Sequence, residues 1–460
     1  MSTLDDVLAK IDANQTDALA RLFALLAIPS VSADPAHFPD CENAADWLVR
    51  ELLALGFDAS KRQTKGRPMV VGRAKAKRRD APHVLFYGHY DVQPPDPLNL
   101  WKTPPFEPRL VDADSGQRIV GRGASDDKGQ LMTFVEACRA FGETGGLPCN
   151  VSILFEGEEE TGSPSLPDFM AENSSELKAD IMLVCDTGMW DRETPAITTM
   201  LRGLVLEEVI LRGANRDLHS GIYGGAAINP IRVLSRIIAD LHDANGAVAL
   251  PGFYDGVEEL PEEIAEQWRD LHFDGDEFLN EVGLAVPAGE QNRSALEMIW
   301  SRPTCDVNGI VGGYTGVGTK TVLPAIASAK VSFRLVGKQN PEKIAQSFRA
   351  FVKARLPADV RAEFIAHGGS PAIVLPTKSE ALRRARRALE AEWGKPAVLI
   401  GSGGSIPIVG VFKRELNMDS LMVGFGLEDD SVHSPNEKYQ RSSFHKGARS
   451  WARLLAALAA

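Results

Sequence analysis

The chain has 460 residues, 44% of them apolar and 24% charged, with a formal net charge of −12 at pH 7. That length exceeds one compact core, so two domains are expected, and the composition is that of an ordinary folded enzyme-sized protein. The charge excludes a general nucleic-acid binder, because neutralising phosphates needs a basic face; the basic stretches 61–67 and 75–79 read as a solvated hairpin edge.

Residues 1–10 are acidic and show no positive segment followed by an apolar one, so no signal peptide is expected. No run of about 18 apolar residues occurs, so no membrane span is expected. Apolar residues at helical spacing predict a helix over 4–27, stopped by Pro29, and a second over 42–55, closed by Gly56. Short apolar runs at 69–72, 83–88, 151–155 and 181–184 alternate with helical stretches such as 128–141. This predicts an α/β fold with a mostly parallel, buried sheet.

The pattern changes near Arg202. Apolar/polar alternation over 204–211 and 329–335 predicts strands with one exposed face, and 230–241 and 341–352 predict helices opened by proline. These elements suggest an inserted α+β domain, elaborated by the irregular, acidic segment 250–302. After Thr377 helix and buried strand resume, with a core strand over 420–425. The expected organisation is a first domain (1–201 and 377–460) interrupted by a second (202–376). The five cysteines are scattered and form no C-x-x-C pair, which fits a reducing compartment, makes the cytoplasm the expected location and excludes a thiolate zinc site.

Polar clusters follow several of the expected strands: Gly88-His89-Tyr90-Asp91, Gly123-Ala124-Ser125-Asp126-Asp127, Glu156-Gly157-Glu158-Glu159-Glu160, Cys185-Asp186 and, further on, His433-Ser434-Pro435-Asn436-Glu437. Open α/β sheets place ligands at such strand ends. Each cluster has an ordinary alternative: a hydrogen-bonded histidine, a solvated acidic face, or, for Asp126-Asp127, a helix N-cap. Together, two histidines and several carboxylates without cysteine suit zinc, manganese or cobalt. A carboxylate bridging two cations can hold them about 3.5–4 Å apart, and Asp91, two residues from His89, could fix an imidazole that ligates through its other nitrogen.

These clusters, with Asp217-Leu218-His219-Ser220-Gly221, resemble the metal-site motifs of M20 metallopeptidases, in the same order and from about Leu19 onward; they are most similar to the cytosolic non-specific dipeptidase and carnosinase branch. The resemblance implies a zinc-peptidase-like catalytic domain plus an inserted two-layer lid and dimerisation domain. It implies dipeptide hydrolysis by a water activated between two divalent metal ions per subunit, zinc first, manganese or cobalt as alternatives. Asp126 would bridge the metals, His89 and Asp186 would complete one set of ligands, and Glu160 and His433 the other. Glu159 would be the general base and Asp91 its support. His219 would stabilise the oxyanion in the partner subunit of a homodimer, while Arg334, Thr321 and Ser405 would contact a small peptide substrate. A cis Asp126–Asp127 peptide is also implied. Asp127 departs from the asparagine common in this branch.

Alternatives remain open at this point. An N-acyl-amino-acid amidohydrolase of desuccinylase or deacetylase type would share metals and base, and a catalytically inactive binding or scaffold paralogue would be a different class. A phosphate loop is excluded: Gly313-Tyr314-Thr315-Gly316-Val317-Gly318 is followed by Thr319-Lys320 out of register and then by Pro324. No G-x-S-x-G elbow marks a serine hydrolase.

Overall fold

The computed structural model describes residues 3–404 and 407–460. The chain divides into two units, one of Met1–Thr199, Leu375–Ile400 and Ile408–Ala460, the other of Met200–Val374 and Gly401–Pro407.

The first unit is built on a mixed sheet with the order Asp58–Arg62, Met69–Ala74, Asn150–Glu156, His83–His89, Ile181–Val184, Asp419–Met422 and Ala196–Leu201. The middle four strands run parallel. Both flanks are antiparallel: Asp58–Arg62 folds back on Met69–Ala74, and Asp419–Met422 meets Ala196–Leu201 at Met422 and Thr198. The basic stretch around Lys61 lies on the outermost hairpin, where its ammonium pairs with Glu42 and Asp46 at 2.7 Å each.

Parallel strands need covered faces, and the sequence supplies the cover. Helix Lys128–Thr144 is buried almost all round, from Lys128 through Cys138, because it lies between the sheet and the C-terminal helix Arg441–Ala459. Phe86 of the sheet stacks on Phe134 at 3.8 Å between ring centroids, with Trp451 edge-on to both. Such aromatic pairs contribute about 0.5–1.5 kcal/mol each beyond their burial.

The expected helix 4–27 is two helices, Leu4–Ala13 and Gln15–Leu26, because Asn14 (φ −97°, ψ 10°) leaves the helical region and caps one while starting the next. Apolar periodicity runs through the break without signalling it. Among the described residues no helix is long and apolar enough to cross a membrane.

The second unit holds an antiparallel sheet, Thr304–Gly312, Ile326–Leu335, Gly203–Arg212 and Arg361–Ser370 in that order. Helices Pro230–Ala239 and Pro341–Lys353 pack against it, with Val205, Val209, Leu234, Phe333 and Phe348 in the core between. Both helices open on proline behind an asparagine cap, Asn229 accepting from Ile231 N–H and Asn340 from Lys343 N–H. A cap of this type contributes about 1 kcal/mol. Segment 250–302 is less irregular than its composition suggests: it contains short helices Glu262–Asp270, Gly275–Asn280 and Ala295–Trp300.

Candidate metal centre

Three of the first unit's parallel strands deliver acidic or imidazole side chains at their carboxyl ends. His89 is the last residue of His83–His89 and is fully buried. Glu159 and Glu160 begin a helical turn just after Asn150–Glu156, and Asp186 follows Ile181–Val184. Asp126 arrives from outside this sheet, and His433 stands in the loop that follows Asp419–Met422. Asp126 lies past Arg118–Val120, a strand of a separate three-stranded sheet too short to show in the sequence pattern. His433 sits in a long loop, with the left-handed φ of 61° that non-glycine residues adopt mainly where surrounding contacts demand it.

The carboxylate of Asp126 is the centre of the group. Its Oδ1 lies 3.0 Å from His89 Nε2, and its Oδ2 lies 2.9 Å from His433 Nε2. His89 Nε2 is also 4.0 Å from Asp186 Oδ2, and His433 Nε2 is 3.2 Å from Glu160 Oε2. Candidate ligand atoms of His89, Asp126 and Asp186 fall within 4.8 Å of one another, as do those of Asp126, Glu160 and His433. The two triads share only Asp126. Two imidazoles and three carboxylates, split evenly around one shared carboxylate, fit a pair of divalent cations.

The electrostatics fit cations too. Burial, then the neighbouring Asp126 charge, pushes Asp186 up to about 7. Burial raises Glu159 to about 8, helped by Asp186, Asp91 and Glu160 and opposed by His89. Hydrogen bonds to Asp126 and Glu160 lift His433 to about 10. Asp126 itself is held below the usual carboxylate range: burial acts to raise it, and the His433 and His89 contacts outweigh burial. Such crowding of negative charge in a desolvated pocket favours bound positive charge.

A layer of hydrogen bonds orients these groups. Asp91 accepts from Ser32 Oγ at 2.6 Å and from the backbone N–H of Glu159 (3.2 Å) and Glu160 (3.1 Å). His89 Nδ1 lies 3.1 Å from the Asp91 carbonyl oxygen and 3.5 Å from its Oδ1, so Asp91 fixes Nδ1 while Nε2–H donates to Asp126, and Nε2 is the nitrogen that would ligate a cation in place of that proton. The Asp126–Asp127 peptide is cis, as the resemblance implies. Asp127 makes no side-chain cap bond to the following helix; its Oδ2 instead accepts the His89 N–H at 3.0 Å. Next to it, the buried Lys128 donates from Nζ to the carbonyls of Leu25 (3.2 Å) and Ile28 (2.6 Å).

Two residues quoted in a motif but given no role prove to anchor the site. Glu437, fully buried, accepts from Arg122 Nη1 (2.8 Å) and from the N–H groups of Gly123 (2.9 Å), Ser125 (2.9 Å) and Asp126 (3.0 Å). Asn436 accepts from Lys102 N–H at 2.7 Å and donates to the Leu100 carbonyl at 2.9 Å, fixing the loop that carries His433. The only local signal was an acidic residue adjoining the buried strand Lys438–Gln440.

The substrate-contact candidates Arg334, Thr321 and His219 lie in the second unit, whereas Ser405 is outside the described residues. His219 is exposed, and its Nδ1 accepts from Gly221 N–H at 3.0 Å, capping helix Ser220–Tyr223. The ordinary capping role is therefore present, and it has a chemical result. Acceptance at Nδ1 places the proton on Nε2, making the outer nitrogen a hydrogen-bond donor. His219 pairs with Val322 in a two-residue ladder, and the Thr321 carbonyl accepts from Ser220 N–H at 3.0 Å, so Thr321 sits beside it. Arg334 is half-buried, opposite Leu204 on one neighbouring strand and Thr304 on the other.

Comparison with known proteins finds peptidases. Residues 85–457 match the peptidase family M20/M25/M40. The chain is 32% identical to the Cys-Gly metallodipeptidase of Candida albicans, over 94% of this chain and 92% of that protein. It is 29% identical to the human Beta-Ala-His dipeptidase, over 95% of this chain and 82% of that one. Among solved structures, it superposes on a dipeptidase from Saccharomyces cerevisiae with a TM-score of 0.81 at 28% identity, covering 99% and 98% of the two chains.

Proposed function

The chain belongs to peptidase family M20/M25/M40, and we propose that it is a two-metal dipeptidase whose centre is the Asp126 carboxylate flanked by His89 and His433. That shared carboxylate is the single observation that carries the reading. Metallodipeptidase relatives aligned over nearly the whole chain support the substrate class.

In this reading Asp126 would be shared by two cation sites, with His89 and Asp186 completing one and Glu160 and His433 the other. Divalent cations bound there supply Lewis acidity and make an attacking water more acidic. Glu159, beside Glu160 and raised by burial to about 8, is the group that would accept a proton from the attacking water and pass it to the leaving amine. Asp91 holds His89 by its carbonyl and carboxylate and the Glu159–Glu160 turn by backbone hydrogen bonds. His219 supplies an Nε2–H donor to the developing oxyanion, in the active site of the partner subunit of a homodimer formed through the second unit. Arg334 binds the substrate's free carboxylate with its planar fork, and Thr321 and Ser405 are further contacts. Zinc is the favoured metal, manganese and cobalt are chemically admissible, and the cytoplasm is the proposed location.

A panel of dipeptides and N-acyl amino acids, run on protein reconstituted with each metal, tests the substrate class. Turnover of N-acyl amino acids with no dipeptide cleavage would replace this reading with the amidohydrolase one.

A further inference from the structure

His433 reaches the metal centre on a loop, so its position depends on what holds the two ends of that loop. The far end is fixed by Asn436, bonded to the backbone of Leu100 and Lys102, and by the buried Glu437. At the near end stands Asp430, fully buried at the end of the turn Glu428–Asp430. Its Oδ2 accepts from Ser125 Oγ and from Leu427 N–H, each at 2.8 Å, and its Oδ1 accepts from Lys438 Nζ at 2.6 Å. Lys438 is also buried; it pairs in register with Val120 of the short strand before Asp126, and its ammonium bonds Asp429 at 2.7 Å. Glycine at 426 keeps the approach to Ser125 open, since a Cβ there would lie 3.2 Å from Ser125 Oγ. Just beyond Asp430, Ser431 (φ 56°) and His433 (φ 61°) are left-handed, a conformation that persists in such residues where surrounding contacts over-determine it.

The other ligands do not depend on Asp430 in this way. Glu437 takes the N–H groups of Gly123, Ser125 and Asp126, so the loop of the shared carboxylate keeps its own anchor. His89 is oriented by Asp91 and bonded through its N–H to Asp127. Within 427–432, by contrast, Asp430 is the one buried residue, and its bonds tie this arm to the interior. We propose that Asp430 is a positioning residue for one cation site of the pair. Held by Lys438 and joined to Ser125, it sets where His433 stands relative to Asp126, and so tunes the site of Glu160 and His433 while leaving that of His89 and Asp186 unchanged. Metal–ligand distances tolerate only about 0.2 Å of departure, so a small displacement of the loop is enough. The selectivity rests on the two-metal reading; the anchoring of the loop rests on the bonds of Asp430.

The test titrates the full-length protein with zinc against a chelating dye, using Asp430→Asn and Ser125→Ala, each alone and combined with His433→Ala. Asp430→Asn should weaken one zinc ion by about tenfold or more and the other by less than about twofold. In the His433→Ala background, where the site of His89 and Asp186 remains, it should leave zinc affinity within about twofold. Ser125→Ala removes one bond to Asp430 and should act in the same direction, less strongly. Equal weakening of both ions, weakening that persists in the His433→Ala background, or no weakening at all overturns the proposal. Hydrogen exchange of the metal-free protein separates this from failure of the two-metal reading. If the wild type binds fewer than two zinc ions, that reading falls, yet Asp430→Asn should still speed exchange over 427–436 and leave 123–129 protected; unchanged exchange over 427–436 rejects the anchoring itself. If Asp430→Asn fails to fold by circular dichroism, the same comparisons on Ser125→Ala decide the matter.

Discussion

The Glu437 carboxylate accepts the backbone N–H of Asp126 at 3.0 Å, although the two residues stand 311 positions apart. The same carboxylate takes three further donors from Arg122, Gly123 and Ser125. A single side chain thus fixes the loop that presents the shared carboxylate of both triads. Glu437→Gln replaces one acceptor oxygen by an N–H group that faces donors. It should lower metal affinity by about 10–100-fold and stability by about 1–3 kcal/mol. Competition with a chelating dye and thermal melting read the two effects; undiminished affinity would remove Glu437 from the metal site.

Glu159→Gln keeps the shape of the proposed base but not its proton affinity. The expected outcome is a fall in kcat of about 10²–10⁴-fold with two metals per chain still bound. Loss of metal in elemental analysis would instead make Glu159 a ligand. In the wild type, a chelator should abolish hydrolysis and zinc, manganese or cobalt should restore it.

Metal affinity should fall as the pH is lowered through neutrality. Asp186 is pushed up to about 7 and Glu159 to about 8, both chiefly by burial, and His433 is lifted to about 10 by its bonds to Asp126 and Glu160. Raised values mean that the metal-free groups hold protons at neutral pH, and a cation must displace them. Calorimetric titrations in buffers of different ionisation enthalpy should detect proton release on binding, larger at pH 6.5 than at pH 9. Binding without proton release would contradict the charge arrangement.

His219→Ala should lower kcat by about 10²-fold or more, on the scale of losing one oxyanion donor. Mixed with Glu159→Ala under conditions of subunit exchange, it should regain part of the activity, since in the proposed homodimer each hybrid would have one active site with both residues. Failure to complement after demonstrated exchange would argue that His219 acts within its own subunit or not at all.

The sequence shows the ligands better than it shows what holds them. His89 and Asp186 stand at the ends of apolar runs and Glu160 a few residues beyond one, and the four central parallel strands are read closely, because buried strands are continuous in apolar residues. The three-residue strand Arg118–Val120 and the break at Asn14 leave no such trace: one is too short to alternate, and the other lies within an unbroken apolar period. Glu437 and Asn436 act on partners hundreds of residues away, and only the fold reveals those pairings. Arg202 reads as an ordinary charged residue before a strand until the carbonyls of Gly403 and Met298 are placed around it.

The bonds from Ser32 to Asp91 and from Lys128 to the carbonyls of Leu25 and Ile28 have a practical consequence for anyone trimming this protein. A shortened version beginning at residue 85 would keep all five proposed ligands. It would nonetheless strip Asp91 of the Ser32 donor and Lys128, two positions from Asp126, of both its carbonyl acceptors. Segment 25–32 is therefore a support of the proposed metal centre. Ser32→Ala, which removes only the Asp91 donor, should lower metal affinity measured with a chelating dye more than it lowers the melting temperature.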